Sequence, residues 1–153
     1  MLTKLLPDQI AKFWDVIKYA IEESLPPIVG EHPDKMNRIL TSLLCNKTEC
    51  WIRYRKEDKT IFEGIALTRF LHDDASNTKN LLIYCLYGYD KTTDETWTES
   101  ISLLCKYAKK HKCSDVVAYT DIQYMIDKAK QLGGEAKYTY VSFNVEKIIK
   151  KFN

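Results

Sequence analysis

Thiols and imidazoles have the widest chemical range of any side chains in this sequence, because they serve as nucleophiles, redox groups and metal ligands. There are five cysteines and three histidines: Cys45, Cys50, Cys85, Cys105, Cys113, His32, His72 and His111. No cysteine pair has C-x-x-C spacing, and the number of cysteines is odd. We therefore expect reduced core thiols and no metal site. The alternatives are a Cys45–Cys50 bridge across a loop, or a metal held by these cysteines with help from the histidines.

Carboxylates and hydroxyls show no Ser-His-Asp, Cys-His or paired-carboxylate spacing that marks a catalytic centre. The adjacent acids Asp73 and Asp74 fit a loop turn better than an acid pair. Chemistry in this chain must therefore be inferred from how its elements bring residues together.

The bulk composition predicts one globular domain over residues 1–153, since 45% of the residues are hydrophobic and 29% are charged. A net charge of +2 gives no argument for nucleic acid or for an acidic membrane surface. No apolar run approaches the roughly 18 residues of a membrane span, and the first residues do not read as a signal peptide. We expect a cytoplasmic protein that is not secreted.

Hydrophobic periodicity alternates between helical and strand spacing along the chain. The predicted order is helix, helix, three strands, helix, strand, helix, strand: 8–25, 34–45, 50–55, 61–71, 81–87, 93–111, 115–119, 122–132 and 137–145. The basic tail after the last strand has weak helical character. Thr92 and Glu95 predict a capping box at the start of the long helix.

This order predicts an α/β (α+β layered) fold with a mixed, mostly antiparallel twisted sheet and helices on both faces. Three consecutive strands predict an antiparallel meander. The strand–helix–strand unit that follows predicts one parallel crossover.

The chain resembles the GNAT (Gcn5-related N-acetyltransferase) superfamily from Leu86 to Phe143. Residues 129–134 read Ala-Lys-Gln-Leu-Gly-Gly where the family usually shows Tyr-Glu-Lys-Leu-Gly-Phe. Residues 112–117, Lys-Cys-Ser-Asp-Val-Val, resemble the usual exit from the long helix into the next strand. The resemblance covers residues 50–145, and it includes the first two helices by order only. It implies a GNAT-like fold.

The resemblance also implies where a cofactor would lie. In the family, a Gly-rich segment after the central strand presents backbone amides to the pyrophosphate of acetyl-CoA. Here residues 90–98 read Asp-Lys-Thr-Thr-Asp-Glu-Thr-Trp-Thr, without glycine and with two acids where phosphate would lie. We therefore expect no cofactor. If acetyl-CoA does bind, the resemblance assigns it to Leu86, Tyr87, Gly88, Lys91, Thr92 and Thr93.

Catalytic residues are also assigned through the resemblance. The tyrosine that often acts as general acid in the family aligns with Ala129, and Tyr124 is the nearest substitute. Tyr87 and Tyr89 are further tyrosines that would line the slot. Glu63, beside Gly64, is the candidate general base for acyl transfer to an amine.

Two functions follow from these observations. The first is a non-catalytic interaction or structural module, similar to degenerate proteins encoded among the virion and morphogenesis genes of tailed bacteriophages. Such a protein would lie in the host cytoplasm or the virion. The alternative is a divergent enzyme that moves an acetyl group from acetyl-CoA to an amine. A weaker third hypothesis is an apolar small-molecule groove lined by Trp14, Trp51 and Tyr87.

A protein partner or self-association is expected for the interaction module. Tyr138 and Tyr140 alternate with apolar residues on the last predicted strand. Because that strand is expected near a sheet edge, these two tyrosines are candidates for a dimer face.

Overall fold

The computed structural model describes residues 2–89 and 92–153. The chain divides into two compact units, the larger ending at Asp121 and the smaller spanning Ile122–Asn153. The elements of the larger unit are β1 (Leu2–Lys4), α1 (Pro7–Lys12), α2 (Trp14–Ser24), α3 (Lys35–Leu44), β2 (Glu49–Lys56), β3 (Thr60–Asp73), β4 (Thr78–Gly88), α4 (Asp94–Lys110) and β5 (Asp115–Ala118).

The five strands form one sheet in the order β1-β2-β3-β4-β5. Every neighbouring pair is antiparallel except β4 and β5, which are parallel and are connected through α4. The predicted mixed, mostly antiparallel sheet is therefore confirmed.

Helices cover both faces of this sheet, because alternate strand residues point to opposite sides. On one face, Ile17 and Ile21 of α2 and Leu43 of α3 pack in a buried cluster with Leu67 of β3. On the other face, Leu104 and Ala108 of α4 pack in a second buried cluster with strand residues that include Trp51 and Leu81. The first cluster defines the α2–α3 face and the second defines the α4 face.

The first helix differs from the prediction, because residues 8–25 form two helices and not one. The break is at Phe13, whose backbone leaves the helical region at φ −104° and ψ 19°. The ring of Phe13 packs edge-on against Phe62 of β3, with 5.4 Å between centroids. This packing accompanies a helix break that apolar periodicity does not encode. Strand β1 was also missed, since three residues are too few to show an alternating pattern.

The second unit contains α5 (Gln123–Gln131) and α6 (Val145–Phe152). Gly133, at φ +94°, provides the left-handed residue just after α5. The strand predicted over residues 137–145 is wrong: residues 135–144 carry no regular structure, and Val141 and Phe143 are exposed. A strand needs a neighbour to accept its backbone hydrogen bonds, and the second unit has no strand.

None of the helices within the described ranges combines the length and the apolar character needed to cross a bilayer.

Candidate functional site

The end of β4 has one open edge. The ladder with β5 runs from Asn80↔Asp115 to Ile83↔Ala118, where β5 ends, while β4 continues to Gly88. On its other edge, β4 stays paired with β3 as far as Gly64↔Gly88. Among the described residues, no strand pairs with residues 84–88 of β4 on the β5 side. Within residues 2–89 and 92–153, the ladder of β4 is therefore one-sided over this segment.

A β-bulge lies in β4 at the end of its ladder with β5. Thr68 pairs with Ile83 and Leu67 pairs with Cys85, so Tyr84 is an extra residue in β4. A bulge bends its strand and increases the local twist. The bulge therefore directly follows the last residue of β4 that pairs with β5.

Three residues assigned to the cofactor lie on this open segment: Leu86, Tyr87 and Gly88. Gly64 faces them from β3, and a Cβ on Gly64 would lie 3.1 Å from the carbonyl oxygen of Tyr87. Glycine therefore lets β3 and β4 approach closely at this end of the sheet.

The start of α4 carries two more of the predicted cofactor residues, Thr92 and Thr93, whereas Lys91 lies outside the described residues. The predicted capping box at Thr92 and Glu95 is wrong by one residue. Thr93 is the N-cap, and its Oγ1 accepts a hydrogen bond from the backbone N–H of Thr96 at 3.2 Å. The capping-box pattern fits Thr92 and Glu95 but not Thr93 and Thr96, so the sequence favoured the register that the structure does not have.

Negative charge occupies the first turn of α4, in Asp94 and Glu95. Acidic side chains there complement the positive end of the helix dipole. The indole Nε1 of Trp97 is buried and has no hydrogen-bond partner among the described residues. No residue between Gly88 and Gly133 is a glycine.

The two candidate catalytic residues lie in different units. Glu63 is half-buried on β3, and its backbone carbonyl accepts from the N–H of Tyr89 at 3.1 Å, which places it beside the end of β4. Tyr124 is on α5 in the second unit, where its side chain is 55% exposed. The ammonium of Lys128 lies 5.8 Å from the centroid of the Tyr124 ring.

An aromatic cluster, formed by Tyr19, Tyr87 and Tyr89, covers the end of β4 on the α2–α3 face. The Tyr87 ring meets Tyr89 edge-on at 5.0 Å and Tyr19 at 6.0 Å. Burial and the neighbouring Tyr87 hydroxyl raise the pKa of Tyr89 to about 12. Burial, and then a hydrogen bond with Tyr19, also raise the pKa of Tyr87. Both hydroxyls therefore keep their protons at neutral pH. Sequence reasoning missed Tyr19, because it lies more than 60 positions before Tyr87.

All five cysteines are free, and Cys50 and Cys85 are buried while Cys45 is exposed. Within the part of the chain that the structure describes, no three His, Cys, Asp or Glu side chains are grouped closely enough to hold a metal ion.

The aromatic groove of the third hypothesis is not formed. Trp14 and Tyr87 pack on the α2–α3 face, whereas Trp51 belongs to the α4 face. Trp51 donates from Nε1 to Oγ1 of Thr68 at 2.9 Å, and its ring packs against Tyr107. These contacts show a core tryptophan.

Comparisons with known proteins agree with this geometry. No protein-family model matches the sequence, and no curated protein matches it significantly. Solved structures do match over nearly the whole chain. A probable acetyltransferase is 8% identical, with a TM-score of 0.69, over 94% of this chain and 95% of that one. A predicted acetyltransferase with acetyl-CoA from Clostridium acetobutylicum is 13% identical, with a TM-score of 0.68, over 96% and 97%.

A third similar structure is an aminoglycoside acetyltransferase from an uncultured soil metagenomic sample, in complex with sisomicin. It is 18% identical with a TM-score of 0.67, over 94% of this chain and 93% of that chain. At such low identities the likeness concerns the fold alone. The element order, the sheet topology and these matches together show that the chain has the GNAT acetyltransferase fold.

Proposed function

We propose that this chain is a non-catalytic interaction module built on the GNAT fold, which does not hold acetyl-CoA by its pyrophosphate. The observation that carries the proposal is the first turn of α4. A helix start binds phosphate through free backbone N–H groups and through its positive end. In this chain one of these amides, the N–H of Thr96, is bonded to Thr93 Oγ1, and two acids lie at the positive end of the helix.

Thr93 occupies one of the amides that a phosphate would need. Its hydroxyl accepts from the N–H of Thr96, and it also lies 3.0 Å from the Thr96 hydroxyl. A phosphate oxygen that took this amide would have to displace the cap, and losing an N-cap costs about 1 kcal/mol.

Asp94 and Glu95 add negative charge to the first turn of α4, the end of a helix at which a phosphate binds. Two unit charges about 4 Å apart repel by about 1 kcal/mol in bulk water, and by about 4 kcal/mol near a protein surface. The helix dipole attracts an anion by only about 0.3–1 kcal/mol. Repulsion between a pyrophosphate and two adjacent carboxylates therefore exceeds the attraction of the dipole.

The segment after Gly88 contains no glycine, which is a steric obstacle to phosphate binding. Glycines allow a backbone to approach a pyrophosphate closely. Here Thr92, Thr93 and the first turn of α4 all carry side chains. The bacteriophage-type source and the cytoplasmic location stay predictions from the resemblance.

A thermal-shift titration with acetyl-CoA tests the proposal. A ligand at 100 times its Kd stabilises a folded protein by about 2.7 kcal/mol, which raises the Tm of a domain of this size by about 5–10 °C. We expect a shift below about 1 °C at roughly 1 mM acetyl-CoA. A concentration-dependent rise of several degrees would refute the proposal.

One observation favours a second candidate, a divergent N-acetyltransferase. The open edge of β4 after Ile83 has backbone groups that an acyl-pantetheine arm would pair with, whatever the side chains. Protonated Tyr87 and Tyr89 lie at the same end of the strand as Glu63. This candidate predicts binding of S-acetylpantetheine, which lacks the pyrophosphate. It also predicts acetyl-CoA-dependent acetylation of a small amine that Glu63→Gln slows at least tenfold. Absence of both would exclude it.

A further inference from the structure

A cavity of about 250 Å³ lies on the α2–α3 face of the sheet, away from the start of α4. Its walls come from the segment before α3, one side of α3, and the strands β3 and β4. Most of its lining residues are basic or hydroxyl-bearing: Gly30, His32, Lys35, Arg38, Ile39, Ser42, Thr48, Arg69 and Tyr84. This cavity is called the basic pocket below.

Helical spacing puts three polar residues of α3 on the pocket side. Lys35, Arg38 and Ser42 follow one another at intervals of three and four, so they form one stripe of the helix. Leu43 and Leu40 belong to the neighbouring stripe, which packs into the core. Helix α3 is therefore anchored by its apolar stripe while its basic stripe borders the pocket.

Arg69 forms the other wall and is held in place by three contacts. Its Nε donates to Oγ1 of Thr48 at 3.1 Å, and its Nη2 donates to Oγ of Ser42 at 3.3 Å. The Ser42 and Thr48 hydroxyls are themselves 2.7 Å apart. The guanidinium carbon lies 5.1 Å from the centroid of the Tyr84 ring. A guanidinium has five N–H donors, so three remain after these two hydrogen bonds.

The positive charges of the pocket are only partly neutralised by ion pairs among the described residues. Lys35 is paired with Glu31 at 3.1 Å, and the Glu31 side chain is 90% exposed. Neither Arg38 nor Arg69 has an ion-pair partner in residues 2–89 and 92–153, and no acid lines the pocket. His32 accepts at Nδ1 from the backbone N–H of Asp34 at 3.0 Å.

We propose that the basic pocket binds a small oxyanion, the carboxylate or phosphate group of a small ligand. The remaining N–H donors of Arg69 make the forked contact that guanidinium offers to such groups, and Arg38 adds charge. The pocket is smaller than the roughly 300–1,000 Å³ of sites for drug-sized ligands, which restricts it to small molecules. Ile39 and the Tyr84 ring provide apolar contact for the body of the ligand. This inference goes beyond the proposed function and does not depend on whether acetyl-CoA binds.

The basic pocket is tested by titrating the protein with sodium phosphate and, separately, with sodium succinate. Ionic strength is held constant with sodium chloride, and backbone amide shifts are followed by NMR. We expect at least one anion to bind saturably and to move the amides of Ser42, Thr48 and Arg69. Stronger binding of phosphate identifies a phosphate ligand, and stronger binding of succinate identifies a carboxylate. If neither anion moves these amides beyond chloride, the inference is wrong.

Matched charge-neutralising variants locate the site. Arg38→Gln removes an exposed charge that the fold does not need, and should weaken binding about threefold. Arg69→Gln should weaken it at least tenfold, since charge-assisted hydrogen bonds are the strong ones. Lys106→Gln removes the same charge from the exposed side of α4, which covers the opposite face of the sheet, and should leave binding unchanged. Equal losses in Lys106→Gln and Arg38→Gln would mean that general charge binds the anion, which would overturn the assignment.

Discussion

Two thiols in the core illustrate what burial does to single residues. Cys50 on β2 and Cys85 on β4 share the buried cluster of the α2–α3 face. Burial raises the pKa of each thiol from 9.0 to about 12. Both therefore stay protonated at neutral pH, so they act as packing groups and not as nucleophiles. The expectation of core thiols is confirmed for this pair, whose flanking residues are apolar, and is wrong for Cys45 and Cys105, which are exposed.

Because the pKa values of these two thiols are raised in the folded state, the stability of the protein should change with pH in the alkaline range. The unfolded thiols ionise near pH 9, whereas the folded thiols resist ionisation until about pH 12. The free energy of unfolding should thus have its full value below pH 9, as far as these thiols are concerned. It should fall as the pH rises from about 9 towards 12. Urea denaturation at pH 8 and pH 10.5 measures the loss. Cys85→Ala should reduce the loss, and the exposed control Cys105→Ala should not. Equal losses in both variants would contradict the explanation.

A buried carboxylate gives a second prediction at this scale. Glu49 lies in the core, where it pairs with Lys4 at 2.9 Å and accepts from the Tyr107 hydroxyl. Tyr107→Phe removes one donor from a buried charge, so it should lower the free energy of unfolding by about 1–3 kcal/mol. Glu57→Gln breaks only an exposed pair with Arg55 and should change it by less than about 1 kcal/mol. Urea denaturation compares the two, and similar small effects would contradict this account of Glu49.

At the scale of elements, the predicted and observed helices differ mainly at their ends. Periodicity placed α4 within one residue at each end, because its apolar stripe is long. It placed the cap at Thr92, because Thr92 and Glu95 match the capping-box pattern, whereas the cap in the structure is Thr93. It did not detect the break at Phe13, which depends on contact with Phe62, a residue far away in sequence. It also took residues 137–145 for a strand, since alternation alone does not show whether a partner strand is present.

The cap of α4 is directly testable. Thr93→Ala should lower the free energy of unfolding by about 1 kcal/mol, because the N–H of Thr96 loses its acceptor. Thr92→Ala is the matched control and should have less than half that effect. Thermal unfolding followed by circular dichroism measures both variants. The reverse ranking would assign the cap to Thr92.

At the scale of the whole molecule, the fold was predicted mainly from the order of the helices and strands. The sheet type and the helices on both faces followed from local periodicity together with general rules of connection. The basic pocket did not follow, since its residues come from α3, β3, β4 and the segments before α3 and β2, and they share no sequence motif. One signal was present: Arg69 is a charged residue inside the apolar run that forms β3.

Self-association stays a prediction at this scale. Tyr138 is 94% exposed and Tyr140 is 73% exposed in the second unit. If they form a face between two copies of the chain, Tyr138→Lys should shift the sedimentation mass from dimer to monomer, because charge would be buried without a partner. An unchanged mass would count against that face.

The central claim is that the first turn of α4 no longer accepts the pyrophosphate of acetyl-CoA. Isothermal titration calorimetry of acetyl-CoA into the wild-type protein tests it most directly. The account predicts no saturable heat at ligand concentrations up to about 1 mM. A saturable one-to-one isotherm with a Kd of about 10 µM or below, about −7 kcal/mol of binding free energy, would contradict it.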